Sequence, residues 1–308
     1  FDALRLTGGR YMAERYTVVT APSTAVVAAL WRRGRGASDE TPRILAFGDP
    51  TFANERSGNG AAADDARRFR DAFAERGGLV RLTGSGVEAR SVAGFAPEGA
   101  GLVRLRDEAS EAFLKQSELD DFSIIHFATH ALVDEASLAR TALALAPGGG
   151  EDGFVAPGDL AALHLDADLV VLSACRTAGG VVLAGEGVRG LATPLLEAGA
   201  RTVVATQWRV PDQSTVRLID DFYAGLARGL PAGDALRGAK LAAMERGAPA
   251  GEWAAFTLVG DPLVRVALRQ PSDAGAWGKW AAGASIVAGV LLVGLDLVRR
   301  RKAATAAT

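Results

Sequence analysis

Two short apolar runs in the middle of the chain constrain its fold more than any other feature. Phe122–His130 reads FSIIHFATH, and Leu169–Cys175 reads LVVLSAC. Each run is too densely apolar for the alternating pattern of a half-exposed strand, and each ends on a reactive side chain. Runs of this length are typical of central parallel strands that are buried on both faces of a sheet.

Predicted strands and helices alternate along most of the chain. The strands are Tyr16–Thr20, Ile44–Asp49, Gly78–Leu82, the two apolar runs, Thr202–Trp208 and a last strand, FTLVGD, within Trp253–Asp261. The helices are Ser23–Trp31, Ala61–Gly77, Ala109–Leu119, Gly187–Ala198, Ser214–Arg228 and Ala232–Arg246. Between the apolar runs, Leu143–Phe154 predicts a hairpin-like insertion and Pro157–His164 a helical turn or two. This alternation predicts an α/β fold that is doubly wound around a mainly parallel sheet.

The ends of the two apolar runs predict a cysteine–histidine dyad. If both strands point the same way, His130 and Cys175 face each other at the carboxyl edge of the sheet, where open α/β sheets bind ligands. The imidazole would remove the thiol proton and later return a proton to the leaving group. The backbone amides of Ala131 and Cys175 would stabilise the oxyanion. The alternative stays open, because a single cysteine is often a small buried apolar residue and a single histidine is often structural.

The other two histidines are not expected to bind a metal. His126 and His130 have the spacing of zinc ligands on a helix, but on a strand the same spacing separates them by about 13 Å. We therefore predict that His126 is a buried, hydrogen-bonded strand residue and that His164 is structural or exposed. No metal site and no cofactor are predicted.

A glycine-rich segment and two acidic residues allow further interpretations. Gly185–Gly190 matches the dinucleotide pattern G-x-G-x-x-G, and Asp212 follows at a suitable distance for a ribose contact. The predicted strand does not lead directly into Gly185, so a nucleotide-binding domain is the weaker alternative. Asp212 and Glu186 would instead form a pocket for a lysine or arginine side chain of a substrate. Their other interpretations are a helix cap for Asp212 and a surface loop charge for Glu186.

The composition excludes several classes of protein. The chain has 308 residues, of which 49% are hydrophobic and 23% charged, enough for one large or two modest domains with a core. The formal net charge of -2 gives no reason to expect a nucleic-acid partner. The single cysteine cannot form an intrachain disulfide and favours a reducing compartment. Because the sequence begins at Phe1 without a leader, we expect an upstream segment to be missing from it.

The C-terminal end predicts a membrane anchor. Ala281–Leu295 contains only apolar and small residues, and a helix over residues 281–298 would span about 27 Å, close to the thickness of a bilayer core. Trp277 and Trp280 would lie at one interface and the basic cluster Arg299–Lys302 at the other. Residues 269–280 would be a linker and residues 299–308 a basic tail. The alternative is a buried core helix, which the absence of a polar face disfavours.

The orientation of this anchor is open. The positive-inside rule would keep the basic tail in the cytoplasm and export the catalytic domain. The single thiol and the missing leader favour a cytoplasmic catalytic domain instead, which is the expectation we retain.

Over residues 1–268 the chain resembles the CHAT family, caspase-like proteins that are often fused to tetratricopeptide repeats. The segments that carry this resemblance are AERYTVVTAPST, LAFGDPTF, HFATHA, DLVVLSACRTAGG, GEGVRGL, GARTVVATQWRVPD and WAAFTLVGDP. The resemblance implies a caspase-hemoglobinase fold, a three-layer sandwich, with His130 as general base and Cys175 as nucleophile. Related proteins place an acid after the strand that follows the nucleophile and use it to select basic P1 residues, which Asp212 would do here.

One residue departs from the family pattern. The family usually has glycine after the catalytic histidine, where this chain has Ala131, and a positive φ at that position would cost about 1 kcal/mol or more. We expect a bacterial, membrane-anchored cysteine endopeptidase that performs limited proteolysis of protein substrates under the control of upstream repeats. The alternative is a catalytically inactive caspase-like scaffold or signalling module.

Overall fold

A six-stranded sheet forms the centre of the fold in the computed structural model, which describes residues 1–21, 41–52, 62–75, 77–133, 140–173, 189–208 and 210–270. Only the backbone is described for residues 62–65, 189, 212 and 213. The strands are β1 (Ile44–Pro50), β2 (Gly101–Arg106), β3 (Ile124–Ala128), β4 (His130–Leu132), β5 (Ala142–Ala144), β6 (Phe154–Val155), β7 (Leu169–Leu172), β8 (Thr202–Thr206) and β9 (Phe256–Gly260). The helices are α1 (Met12–Arg15), α2 (Ala62–Ala74), α3 (Thr83–Ala93), α4 (Glu111–Gln116), α5 (Pro157–Ala161), α6 (Arg189–Glu197), α7 (Asp212–Ala227), α8 (Ala232–Glu245) and α9 (Ala250–Trp253).

The central sheet is mainly parallel, as predicted. Its strand order is β2-β1-β3-β7-β8-β9. The first five strands in this order run parallel to their neighbours, and β9 pairs antiparallel with β8. Every residue of β1, β3, β7 and β8 is buried, which explains why their sequences are continuously apolar.

Successive residues of the central strands enter two separate apolar cores. Ile124 and Val171 pack on the side of α7 and α8, where Leu218, Phe222 and Leu236 complete the core. Ile125 and Val170 pack on the other side with Leu114, Leu160, Leu191 and Leu195, which belong to α4, α5 and α6. The sheet therefore lies between two layers of helices, as in a three-layer α/β arrangement.

A second, smaller sheet begins with β4, which follows β3 directly along the chain. Its order is β4-β5-β6, with antiparallel pairing throughout. Phe69 and Phe73 of α2 pack against Phe154 of β6 in a third apolar cluster. Strands β5 and β6 form the hairpin-like insertion that the sequence predicts over Leu143–Phe154.

Other local predictions were wrong. Residues 78–82 are not a strand, and Tyr16–Thr20 contributes only an isolated bridge between Thr20 and Val259. Helix α3 and strand β2 were not predicted. The sequence of α3 contains two glycines, and Gly86 is suited to a close approach because a Cβ there would lie 3.1 Å from the Asp49 Cβ. Tertiary packing therefore outweighs the low intrinsic helix propensity of this segment.

Several predictions fall outside the described residues. These are the helix Ser23–Trp31 and the membrane span 281–298, with its basic tail. By its contacts the chain divides into Phe1–Arg269 and Gln270–Thr308, and only Gln270 of the second unit is described. Among the helices that the structure describes, none combines the length and the apolar character needed to cross a bilayer. The boundaries of the linker, span and tail stay predictions.

Candidate active site

The carboxyl ends of β1, β3, β7 and β8 meet at one edge of the central sheet. Strands β3 and β7 are adjacent and parallel, with Phe127 paired to Leu172. His130 follows Phe127 by three positions (127 to 130), and Cys175 follows Leu172 by three (172 to 175). The predicted co-directional pairing of the two apolar runs is therefore confirmed.

His130 lies where the chain leaves the central sheet for the small one. The sequence predicts a single strand through His130, but β3 ends at Ala128 and His130 begins β4. Between them, the Thr129 hydroxyl donates to the carbonyl of Ala144 at 2.5 Å, which ties the connection to β5. The predicted strand was thus too long, because the chain switches sheets at Thr129.

The imidazole of His130 is held in a defined tautomer. The ring is buried, lies 5.0 Å from the ring of Phe52, and its Nε2 is 2.6 Å from the backbone oxygen of Val80. A carbonyl only accepts hydrogen bonds, so Nε2 must carry the hydrogen. In the neutral ring, Nδ1 is then the basic nitrogen, as a general base requires.

The predicted nucleophile and one of the two predicted substrate-binding acids lie outside the described residues. The structure describes β7 and the buried Ser173 that follows it, but neither Cys175 nor Glu186. The distance between the two members of the dyad therefore stays a prediction, as does the place of Glu186 in a substrate pocket.

Ala131 is extended and unstrained. It pairs with Leu143 in the small sheet, and its side chain is buried in an apolar cluster. Within the described segments, the residues other than glycine with positive φ are Asp49 and Arg106. Alanine in place of the family's glycine therefore causes no backbone strain, and the role of its amide as an oxyanion donor stays a prediction.

Asp212 is the first residue of α7, which follows the carboxyl end of β8. Strand β8 runs parallel to β7 and ends at Thr206, so the connection to α7 leaves from the carboxyl edge. Pro211, rather than Asp212, is the N-cap of α7, so Asp212 is not the cap residue that the alternative interpretation required. Only its backbone is described, and its predicted contact with a substrate is untested.

An ion pair close to His130 was missed from the sequence. The Arg81 guanidinium donates to Asp49 from Nε at 3.0 Å and from Nη2 at 2.7 Å, and Arg106 Nη1 donates to the same carboxylate at 3.1 Å. Burial alone would raise the pKa of Asp49, but the hydrogen bonds and charges of Arg81 and Arg106 outweigh it, so the pKa lies below its ordinary value of 3.8. The one signal for this site in the sequence was an acid at the end of a buried strand, at the carboxyl edge of the sheet.

His126 belongs to a separate buried network, as predicted. Its Nε2 lies 3.0 Å from Oε1 of Glu88, and its Nδ1 lies 3.2 Å from the hydroxyl of Tyr223. Burial, reinforced by the charge of Glu88, raises the pKa of Tyr223 well above its ordinary value. These contacts join β3 to α3 and α7, which indicates a structural role for His126.

The remaining candidate ligands are not assembled into a site. His164 is exposed, as one of its two interpretations required. Among the described residues, no group of histidine, cysteine and acidic side chains is arranged to hold a metal ion. Of the glycine-rich segment, only its last two residues are described, where α6 begins at Arg189. A nucleotide site there stays an untested alternative.

Comparison with known proteins identifies a protein family whose model covers most of the chain. The family model described as CHAT domain matches residues 1–261. Tetratricopeptide repeat protein 28 of Mus musculus is 36% identical over 117 residues, which are 37% of this chain and 5% of that protein. The chain thus spans a small part of this curated relative.

Solved structures with a similar fold have low sequence identity. A chain of the Saccharomyces cerevisiae separase–securin complex is 14% identical with a TM-score of 0.45, over 81% of this chain and 14% of that one. The Arg-specific cysteine proteinase gingipain R (RGPB) is 12% identical with a TM-score of 0.43, over 73% of this chain and 47% of that one.

Proposed function

The chain belongs to the CHAT family, and from this membership we propose that residues 1–268 form a caspase-like cysteine endopeptidase domain with His130 as base and Cys175 as nucleophile. The observation that carries the proposal is the parallel pairing of β3 with β7, since Phe127 opposite Leu172 brings the two chain segments to one edge. The hydrogen bond from His130 Nε2 to Val80 adds support, because it leaves Nδ1 as the base.

The proposed reaction follows the chemistry of acyl transfer. His130 Nδ1 takes the proton of the Cys175 thiol, and the thiolate attacks the carbonyl carbon of the scissile peptide. Backbone amides of Ala131 and Cys175 donate to the oxyanion. The tetrahedral intermediate collapses as the imidazolium gives its proton to the leaving amine. Water, deprotonated by the same imidazole, then hydrolyses the thioester and releases the acid product with the free thiol.

Substitution of the two proposed catalytic residues tests this function. Cys175→Ala and His130→Ala should each lower the cleavage of a fluorogenic peptide library to background, because neither thiolate formation nor attack remains. His164→Ala is the matched control, since that histidine is exposed. This variant should cleave the library at the wild-type rate. Retained activity in either of the first two variants would show that the proposed dyad is wrong.

Specificity for lysine or arginine at P1 is part of the proposal. Asp212 at the start of α7 follows the carboxyl end of β8, and Glu186 lies in the sequence between Cys175 and α6. Carboxylates at this edge would pair with a basic side chain. Asp212→Asn should weaken cleavage after lysine and arginine more than cleavage elsewhere, and a library that is cut after aspartate would contradict the assignment.

Partners and location complete the proposal. We assign protein substrates, control by upstream tetratricopeptide repeats, and a single-pass anchor at residues 281–298 that holds a cytoplasmic catalytic domain at the membrane. The name of the mouse relative, a tetratricopeptide repeat protein, supports the link to such repeats. An inactive scaffold remains the outcome if the wild type, like the two variants, cleaves no peptide, although the unstrained Ala131 removes the feature that favoured it.

A further inference from the structure

We propose that the ion pair between Arg81 and Asp49 is a positioning device for His130, which it orients through the backbone carbonyl of Val80. This inference rests on the proposed role of His130 as the base. It adds two positioning residues, which act on His130 through the Val80 carbonyl.

The carbonyl that orients His130 lies in a segment without regular structure. Residues 78–82 form neither helix nor strand. The residues on either side of Val80 are attached to other parts of the protein by their side chains. Leu79 is buried in the cluster that contains Phe73 and Leu132, and Arg81 binds Asp49. The Val80 carbonyl therefore lies between an apolar contact, made by Leu79, and an ion pair, made by Arg81.

Asp49, which accepts the hydrogen bonds of Arg81, is itself held in place by other contacts. Asp49 is buried at the end of β1 with φ at 45°, and its amide donates to the Ser85 hydroxyl at 2.8 Å. That hydroxyl donates in turn to the carbonyl of Leu82 at 2.7 Å. Asp49 thus joins β1, the first turn of α3 and the segment that carries Val80. A fixed, buried carboxylate is what a positioning contact requires.

The geometry of the pair favours orientation over global stability. Two nitrogens of the Arg81 guanidinium face the two carboxylate oxygens, which defines direction as well as distance. The Arg81 side chain is 58% exposed, so solvent screens its charge, and Arg106 still pairs with Asp49 when Arg81 is lost. Loss of the pair should therefore leave the fold intact while it frees the Val80 carbonyl and, with it, the imidazole.

Arg106 separates a positional effect from an electrostatic one. It donates to the same carboxylate at 3.1 Å but belongs to β2, outside the segment that carries Val80. Arg106→Met therefore removes the same charge from the same cluster without releasing Val80. If the cluster acted on His130 only through its charge, the two arginine variants would behave alike.

The experiment compares Arg81→Met, Arg81→Lys and Arg106→Met in the full chain. Arg81→Met should lower kcat about 10-fold to 100-fold with KM within about twofold, because a misplaced base slows chemistry more than binding. The limb of the pH profile that reports the base should move. Arg81→Lys should recover part of kcat, and it replaces Arg81→Met if that variant fails to fold. Arg106→Met should keep the wild-type kcat and pH profile.

A spectroscopic measurement reads His130 directly. The chain has three histidines, so ¹⁵N-histidine spectra can be assigned with His126 and His164 substitutions. Wild-type His130 should show the Nε2–H tautomer, Arg81→Met a mixture of tautomers, and Arg106→Met the wild-type spectrum.

The outcomes distinguish this inference from the proposed function. A wild-type chain that cleaves no peptide ends the proposed function, while the tautomer still decides whether Arg81 orients His130. Wild-type kcat, pH profile and tautomer in Arg81→Met would overturn the inference, and so would equal losses in Arg81→Met and Arg106→Met.

Discussion

Three features of Asp49 occur together at one residue. It is buried, it has a left-handed backbone conformation, and its carboxylate receives two guanidinium groups. Aspartate and asparagine tolerate positive φ better than other residues with a side chain. An Asp49→Asn variant should therefore keep the backbone and remove only the negative charge.

This charge makes stability depend on pH in a defined range. Since the pKa of Asp49 lies below 3.8 in spite of burial, its contribution is complete above that value and is lost as the pH falls through the lowered pKa. At pH 7, Asp49→Asn should cost about 1–3 kcal/mol of the free energy of unfolding. The difference in the free energy of unfolding between this variant and the wild type should disappear at acid pH. Urea unfolding at several pH values measures it.

Asp121 provides the matched control for this prediction. It pairs with Arg43 at 2.6 Å, but both side chains are about half exposed. Asp121→Asn should change the free energy of unfolding by less than about 1 kcal/mol at any pH. Equal losses in the two variants, or a gap for Asp49→Asn that persists at low pH, would contradict the assignment of charge to Asp49.

The sequence predicts different roles for His126 and His130 but does not reveal their hydrogen-bond partners. Continuous apolar runs placed His126 inside a strand and His130 at its end, and that distinction agrees with the buried network of the first. Val80 and Glu88 lie 50 and 38 positions from the histidines they contact. A backbone carbonyl leaves no mark in a sequence, and a glutamate on an unpredicted helix gives no indication of its target.

Some helices and strands could be predicted from the sequence and others could not. The buried parallel strands were predicted because burial on both faces requires apolar residues at every position. Strand β2 lies at the edge of the sheet and is only partly buried, so its mixed sequence gives no clear period. Helix α3 buries polar residues such as Ser85 and Glu88, which no amphipathic pattern would reveal.

Two glycines that follow helices give a test of backbone packing. Gly199 after α6 has φ at 123°, and a Cβ there would lie 1.9 Å from the carbonyl oxygen of Leu165. Gly229 after α7 has φ at 80°, with open space around the same position. Gly229→Ala should cost about 1–2 kcal/mol from the left-handed conformation alone.

Gly199→Ala adds a clash with the backbone to that cost. The turn after α6 cannot keep its approach to Leu165, so the loss should exceed about 3 kcal/mol. Urea unfolding of both variants measures the difference. Similar losses at the two positions would mean that the approach of Gly199 to Leu165 does not constrain the fold.

For the whole molecule, the main prediction concerns the proposed anchor. The full chain should float with phospholipid vesicles in a density gradient. Val290→Arg should release it, because a charge near the bilayer centre costs about 3 kcal/mol. Val290→Leu is the control and should stay bound. Release of both variants, or of neither, would contradict a span over residues 281–298.

The exposed border of the central sheet has a consequence for behaviour in concentrated solution. Strand β2 ends the strand order on one side, and an outer strand invites pairing with a strand from another molecule. Arg104 and Arg106 place positive charge on this strand, with Arg104 held over the ring of Phe113 at 4.1 Å. Arg104 pairs with Glu108 and Arg106 with Asp49, so a strand from another molecule would have to bury these charged pairs. The charged residues that make β2 hard to recognise in the sequence are thus also the ones that disfavour edge-to-edge aggregation.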